Sequence, residues 1–357
     1  MPRILFSDSS ESWGGLQYWM RAVTSGLKSR GWDVALCLSE FLNEVLTVTP
    51  VHEPTGRIFV DVVDKTETSL PPRQAAGYDL VVAGTGRDIR WLGLSARLHR
   101  VPLIWSVGGM PQFTWLHKLT RDPLVDHLLV PSQYARGLMM EHGWEPHEVT
   151  AIANGIPLLP LPSPDEVASA RQSLGWQPEE FVILFVGSLR RVKRIDVLLE
   201  AFAKIAEDLP PVRVVIVGTG PKRPILEEQT ARLGLTERVE FAGFQRDPSA
   251  YFAACDLFVL PSREETFGLV LLEAMMRGKP IVASGAGAIP EVVGLDEAAV
   301  LVDTSTPEPL AGAMKRVIED DALRQKLAVS GPQRVKERFT EEMMLDQLDA
   351  YFRSLLR

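Results

Sequence analysis

The chain has 357 residues, more than one typical hydrophobic core organises, so its length suggests two domains. Hydrophobic residues make up 46% and charged residues 24%, an ordinary soluble balance, and the formal net charge of −8 argues against general nucleic-acid binding. Cys37 and Cys255 lie far apart in apolar segments with no Cys or His at ligand spacing. They read as buried small hydrophobes in a reducing compartment, not as a metal site.

The N-terminal run Ile4-Leu5-Phe6 is followed at once by Ser7-Asp8-Ser9-Ser10, too short for a signal-peptide core. No apolar stretch approaches the roughly 20 residues of a membrane span. The expectation is a cytoplasmic protein whose membrane contact, if any, is peripheral on the inner face of the cell membrane.

Short apolar runs alternate with amphipathic helical stretches along the chain. Strands are expected at 3–6, 33–38, 80–83, 102–106 and 127–130, then at 182–186, 212–217, 239–241, 257–260, 280–283 and 299–302. Many are continuously apolar, as befits parallel strands covered on both faces, and the alternation implies doubly wound α/β sheets. Between Asn154 and about Phe181, prolines 157, 160, 162 and 164 interrupt any regular element, which marks an interdomain linker. The division expected is a first domain over 1–160 and a second over 161–338. A terminal helix then follows Phe339-Thr340, with Thr340 as a plausible N-cap.

Trp13-Gly14-Gly15-Leu16-Gln17 follows the first strand and opens a helical run over 18–30 that ends at Gly31. Paired glycines let backbone amides approach an anion at a helix start, although a tight turn needs them equally. Val130-Pro131-Ser132 leads into a helix reaching Gly143, and Ser132 and Asn154 read as structural before functional. Phe185-Val186-Gly187-Ser188-Leu189-Arg190-Arg191-Val192-Lys193-Arg194 places a basic loop directly after a strand. Val217-Gly218-Thr219-Gly220-Pro221 is no dinucleotide fingerprint, since the third glycine is missing and Pro221 interrupts the helix start.

The most informative segment runs Pro261-Ser262-Arg263-Glu264-Glu265-Thr266-Phe267-Gly268-Leu269-Val270-Leu271-Leu272-Glu273-Ala274-Met275. A strand ends near Leu260, a loop carries Glu265, and a helix is expected from about Phe267–Gly268. Ligands of doubly wound sheets bind beyond the C-terminal strand ends, and first-turn amides favour a phosphate there. Glu273 sits among apolar helix residues, where an unpaired carboxylate is costly and a ribose diol would satisfy it.

This segment resembles the Glu-x7-Glu signature of retaining glycosyltransferases, and its surroundings are similar to family 4, the group 1 glycosyltransferases. The likeness is strong from Phe181 onward, diffuse before Asn154, and touches lipopolysaccharide-core and other cell-envelope hexosyltransferases. It implies the GT-B architecture: two Rossmann-like domains facing across a cleft, with the terminal helix packing back on the first. It further implies transfer of a hexosyl unit from a nucleoside-diphosphate sugar, UDP favoured, to a hydroxyl of a glycan or lipid-linked acceptor.

By the same resemblance, Glu265 contacts the donor sugar and Lys193 clamps the departing diphosphate. Arg190 or Arg191 supplies a guanidinium that relatives carry where Ser188 stands here; Glu265, Lys193 and Arg191 form the implied catalytic set. Implied donor contacts come from Gly15, Gly187, Ser188, Arg190, Phe244, Thr266, Phe267, Gly268, Leu269 and Glu273, the last on the ribose. Gly14, Gln17 and Gly108 fall on the acceptor side. The loop Phe241-Ala242-Gly243-Phe244-Gln245-Arg246-Asp247 resembles the one that sandwiches the nucleotide base. Gly285-Ala286-Gly287-Ala288-Ile289-Pro290-Glu291 resembles the family's Gly-Gly-x-Pro-Glu turn, with Glu291 a helix-start carboxylate.

The chain lacks an Asp-x-Asp motif, so neither a metal nor another cofactor is expected; lysine, arginine and helix amides would serve in its place. Gly108 stands where many relatives have a sugar-touching His. That departure and Ser188 leave open a donor-binding, inactive subunit of a transferase complex. A nucleotide-sugar 2-epimerase shares the fold. Between Gly84 and Arg121, Arg87, Arg90, Arg97, Arg100, Lys118 and Arg121 face one acid, Asp88, with Trp91, Trp105, Phe113 and Trp115 interleaved. Such a surface suits an anionic membrane interface or a lipid-linked acceptor, though a solvated helix over core aromatics has the same composition.

Overall fold

The computed structural model describes residues 1–9, 15–39, 60–63, 75–109, 122–209, 211–295 and 297–356. By packing, the chain divides into one unit of Met1–Asn154 with Glu341–Arg357, and a second of Gly155–Thr340.

The first unit holds strands β1 (Arg3–Asp8), β2 (Asp33–Ser39), β3 (Val60–Val63), β4 (Leu80–Ala83), β5 (Leu103–Ser106), β6 (His127–Val130) and β7 (Val149–Ala151). All neighbouring pairs are parallel, in the order β3-β2-β1-β4-β5-β6-β7. Strand β4 is buried along its whole length, which explains its continuous apolar run. Two short strands lie outside the expected runs, β3 with four residues and β7 with three.

Helix Gly15–Ser29 packs on this sheet and starts three residues before the expected run. The terminal helix Glu341–Ser354 belongs to the same unit. Its Met344, Leu345, Leu348 and Phe352 join Ile4, Phe6, Met20, Val23 and Trp32 in one core cluster. The Phe352 ring meets Phe6 and Trp32 edge-on at 6.3 and 6.2 Å, and Trp32 Nε1 donates to Asp349 Oδ1 at 2.6 Å. Cys37 and Cys255 are both buried, and burial pushes the Cys255 thiol up to about 12.

The second unit holds β8 (Phe181–Val186), β9 (Val212–Val217), β10 (Val239–Gly243), β11 (Leu257–Leu260), β12 (Ile281–Ser284) and β13 (Val300–Val302). The order is β10-β9-β8-β11-β12-β13, again parallel. Before it, Ser163 caps helix Pro164–Leu174 by a reciprocal box with Glu166, and Pro164 occupies the first turn. The last of the four linker prolines thus starts a helix instead of breaking one. Where the chain leaves this unit, the Ile156 amide donates to the Phe339 carbonyl at 3.0 Å.

Each sheet reverses its strand order once, between β1 and β4 in the first unit and between β8 and β11 in the second. Loops leaving the C-terminal ends of those two strands diverge, and the gap between them is where doubly wound sheets bind ligands. In the second unit those loops are 187–194 and 261–268.

Candidate functional site

Leaving β8, the chain turns through Gly187, Ser188 and Leu189 into a single 3-10 turn, Arg191–Lys193. The neighbouring loop after β9 presses against it. A Cβ on Gly218 would lie 1.9 Å from the Gly187 carbonyl oxygen, and one on Gly220 would lie 2.6 Å from that of Leu189. The Leu189 amide donates to the Thr219 carbonyl at 2.9 Å. Both glycines of Val217-Gly218-Thr219-Gly220-Pro221 therefore serve close backbone approach.

Across the reversal, the loop after β11 is fixed from two sides. The Arg263 amide donates to the Val192 carbonyl at 2.8 Å, and the Ala288 amide donates to the Glu265 carbonyl at 2.9 Å. Gly287, at φ +63°, leaves room for Glu265: a Cβ there would fall 2.5 Å from the Glu265 oxygen. Gly268, at φ +91°, is the N-cap of helix Leu269–Met276.

These constraints bring Lys193 and Glu265 together. Lys193 Nζ donates to Glu265 Oε1 at 2.5 Å, and Ser262 Oγ donates to the same oxygen at 2.8 Å. The two side chains are 19% and 10% exposed, so the pair is largely withdrawn from water yet reachable. Glu265 Oε2 has no hydrogen-bond partner among the described residues and can receive a ligand hydroxyl.

Glu273 lies one turn into the helix, half-buried, and its carboxylate accepts no hydrogen bond among the described residues. Burial, with the nearby Asp247 charge adding and Arg277 opposing, pushes its pKa up to about 7. Asp247 sits on the loop after β10, which also carries Phe244, an aromatic ring 52% exposed and available for stacking. The structure thus gathers Lys193, Glu265 and Ser262 in one contact set, with Glu273 beside the Phe244–Asp247 loop.

The remaining expected residues divide. Ser188 and Arg190 are exposed on the β8 loop, and Arg191 is exposed at its 3-10 turn. Thr266 is buried, and Phe267 is buried with its ring edge-on to Phe339 at 5.8 Å. Phe267 therefore offers a ligand only its backbone. Leu269 is half-buried in the first helical turn. Glu291 lies in the first turn of helix Ile289–Val293, and its carbonyl accepts from Arg334 Nη2 at 2.9 Å.

In the first unit, Gly15 opens its helix and Gly108 is exposed past β5, while Gly14 lies outside the described residues. Gln17 is buried and Nε2 donates to Asp8 Oδ2 at 2.6 Å, so its amide holds a buried acid. Ser132 caps helix Gln133–Glu141 by accepting from the Ala135 amide at 3.0 Å, a structural role.

Sequence reasoning missed two buried acids, Asp8 at the C-terminal end of β1 and Asp88 in the first turn of the helix Gly86–His99 that follows β4. Asp88 accepts from Ser7 Oγ at 2.9 Å and from the Thr85 amide at 2.8 Å, and burial raises its pKa. The Thr85-x-x-Asp88 spacing before a helix was the available signal. Among the described residues, no three His, Cys, Asp or Glu side chains are grouped to hold a metal, and no helix is long and apolar enough to cross a membrane.

Two parallel sheets with a Lys–Glu pair and an unpartnered carboxylate at the strand-order reversal define a sugar-transferring enzyme of the GT-B fold, and the chain belongs to the group 1 glycosyltransferases. The profile of the family described as "Glycosyl transferases group 1" matches residues 166–334. The chain is 32% identical over 280 residues to the lipopolysaccharide core biosynthesis glycosyltransferase LpsD of Rhizobium meliloti, covering 78% of this chain and 76% of that one. It is 31% identical over 284 residues to a D-inositol 3-phosphate glycosyltransferase of Corynebacterium urealyticum, covering 75% of this chain and 66% of that protein's length. Among solved structures, HepE of Anabaena in complex with UDP and glucose superposes with a TM-score of 0.87 at 25% identity, over 99% of this chain and 100% of that one.

Proposed function

We propose that this glycosyltransferase moves a hexosyl unit from a nucleoside-diphosphate sugar, UDP-linked first, to a hydroxyl of a glycan or lipid-linked cell-envelope precursor, with retention of anomeric configuration. The observation that carries the reading is the half-buried Glu273 carboxylate without a hydrogen-bond partner, on the helix that follows the Lys193–Glu265 pair. A ribose diol donates two hydroxyl hydrogens to such a group. Phe244 offers a face to the base, and the 266–269 turn offers backbone amides to a phosphate.

In the transfer step the acceptor oxygen bonds to the anomeric carbon as its bond to the diphosphate oxygen breaks. The acceptor proton passes to the departing phosphate on the same face. Lys193 stabilises the charge that grows there, a preorganised cation in a largely dry position. Glu265 then holds sugar hydroxyls through Oε2. Because Lys193 supplies the cation, the reaction is proposed to need no metal, and activity persisting in EDTA tests that. The bound structure of HepE with UDP and glucose supports UDP as the first donor to try.

Thermal shift against UDP-, GDP- and ADP-sugars, followed by NMR of the product anomer, tests the reading. A shift with UDP-glucose and an α-linked product are expected. No shift with any nucleotide sugar would overturn donor binding, and a β-linked product would overturn retention alone.

We extend the proposal to contact with an anionic lipid surface through helix Gly86–His99. Arg87, Arg90, Leu94, Arg97 and Leu98 are exposed at helical spacing on one face, with Leu94 and Leu98 61% and 65% exposed. Of the aromatics in this region, Trp105 is buried, while Phe113 and Trp115 with Lys118 and Arg121 lie outside the described residues. Failure to co-sediment with anionic vesicles at low salt would remove this extension.

A further inference from the structure

The loops that carry Lys193 and Glu265 also carry four arginines that the Lys–Glu pair does not engage, and three of them line one recess. Arg191, Val192, Arg194 and Asp196 on one side and Arg263 and Glu264 on the other enclose a recess of about 570 Å3. The recess lies wholly within the second unit, and the Arg263-to-Val192 backbone hydrogen bond ties its two rims.

The charges do not cancel within it. Arg194 is anchored, with Nη2 donating to the Ser305 carbonyl at 3.2 Å and Nε 3.8 Å from Asp196. Arg191 and Arg263 are exposed, and neither guanidinium has a hydrogen-bond or ion-pair partner among the described residues. Two planar, permanently charged forks facing one recess suit a carboxylate or phosphoryl group, which guanidinium binds bidentately. Arg194 also holds a left-handed backbone at φ +51°, a conformation that glycine adopts without strain. An arginine there gains its usefulness from where the side chain goes.

We propose that this recess recognises a phosphoryl or carboxylate group borne by the acceptor, making Arg191, Arg194 and Arg263 determinants of acceptor specificity. The proposal rests on the transfer reading for the word acceptor and on the recess alone for the anion. Arg194 adjoins Lys193 and Arg263 stands two residues before Glu265, within about 7 Å of extended chain. The recess therefore shares both of its loops with the reacting pair. The recess volume admits a charged sugar as well as a bare ion.

Calorimetry with inorganic phosphate and with glucose 6-phosphate, each with and without saturating UDP, tests the proposal on the full chain. Binding that persists with UDP present, and is at least tenfold tighter for the sugar phosphate, is expected. Arg263→Gln should weaken it tenfold or more while leaving UDP affinity within twofold. Arg194→Gly should also weaken it while its Tm stays level or rises, a combination that a purely structural arginine would not produce. Anion binding abolished by UDP would place the anion at the diphosphate position and overturn the proposal, as would undiminished binding in both variants. Equal affinity for phosphate and glucose 6-phosphate would assign the recess to a free ion and overturn the acceptor role. Absence of UDP binding would count against the transfer reading, while the anion titrations still decide the recess.

Discussion

Glu273 illustrates how one side chain reports on its ligand. Its pKa near 7 arises from burial without a partner, so near neutrality about half the molecules carry it protonated. A ribose diol donating two hydrogen bonds favours the ionised form. UDP affinity should therefore tighten by about tenfold from pH 6 to pH 8, as expected for ligand binding linked to a single deprotonation, and Glu273→Gln should flatten that profile in calorimetry. The stability sign runs the other way. A carboxyl whose folded pKa lies above its unfolded value binds more protons when folded, so its presence costs stability as pH rises from about 4.5 to 7. Glu273→Gln should raise Tm at pH 8 and change it little at pH 4. Lys193→Ala should lower kcat by about 100-fold or more, since the leaving charge loses its preorganised cation; unchanged turnover would contradict that role. Glu265→Ala should cut turnover likewise, and Glu273→Ala should act more on donor affinity. Glu265 and Glu273 were legible because their spacing and apolar surroundings are local in sequence. The partner of Gln17 was not, because the acid it satisfies, Asp8, lies at a strand end where β1 pairs with β2.

Most strands could be read from their apolar runs, because both faces of each parallel sheet are covered and the pattern is therefore continuous. Strand β3, only four residues long and interrupted by Asp61, carries no such continuous run. The loops were harder, since their shapes depend on which backbones approach. Gly218 and Gly287 look alike in sequence, yet one lets the β9 loop touch Gly187 and the other lets the β12 loop touch Glu265. Gly287→Ala should therefore cut turnover more than it lowers Tm: the displaced backbone is that of Glu265, and a 1 Å misplacement costs on the order of 100-fold. Gly218→Ala should lower the Tm of the second unit, because a methyl 1.9 Å from a carbonyl oxygen cannot be accommodated without moving the strand end. Parallel activity and melting measurements on the two variants separate these outcomes.

At the scale of the molecule, residues 155–340 form an insertion within a unit whose pieces lie on both sides of them in sequence. Phe352 is fully buried among residues near the opposite end of the chain. Phe352→Ala should destabilise the first unit by about 3–5 kcal/mol, the usual cost of deleting a buried aromatic ring. A two-transition unfolding curve should then show one midpoint shifted and the other fixed. The returning helix was legible as a helix, with Thr340 before it, but nothing local to 341–356 says which core it completes. That information resides in the shape left open by Phe6, Met20 and Trp32.

This returning helix also bears on the order of events during synthesis. Everything the inserted unit needs has been translated by residue 340, whereas the earlier-made sheet lacks one wall until Met344, Leu345, Leu348 and Phe352 have left the ribosome tunnel. On a translating ribosome the order of completion is thus reversed relative to the order of the genetic message. The nascent N-terminal half must wait with apolar surface uncovered, a window in which chaperones would find it.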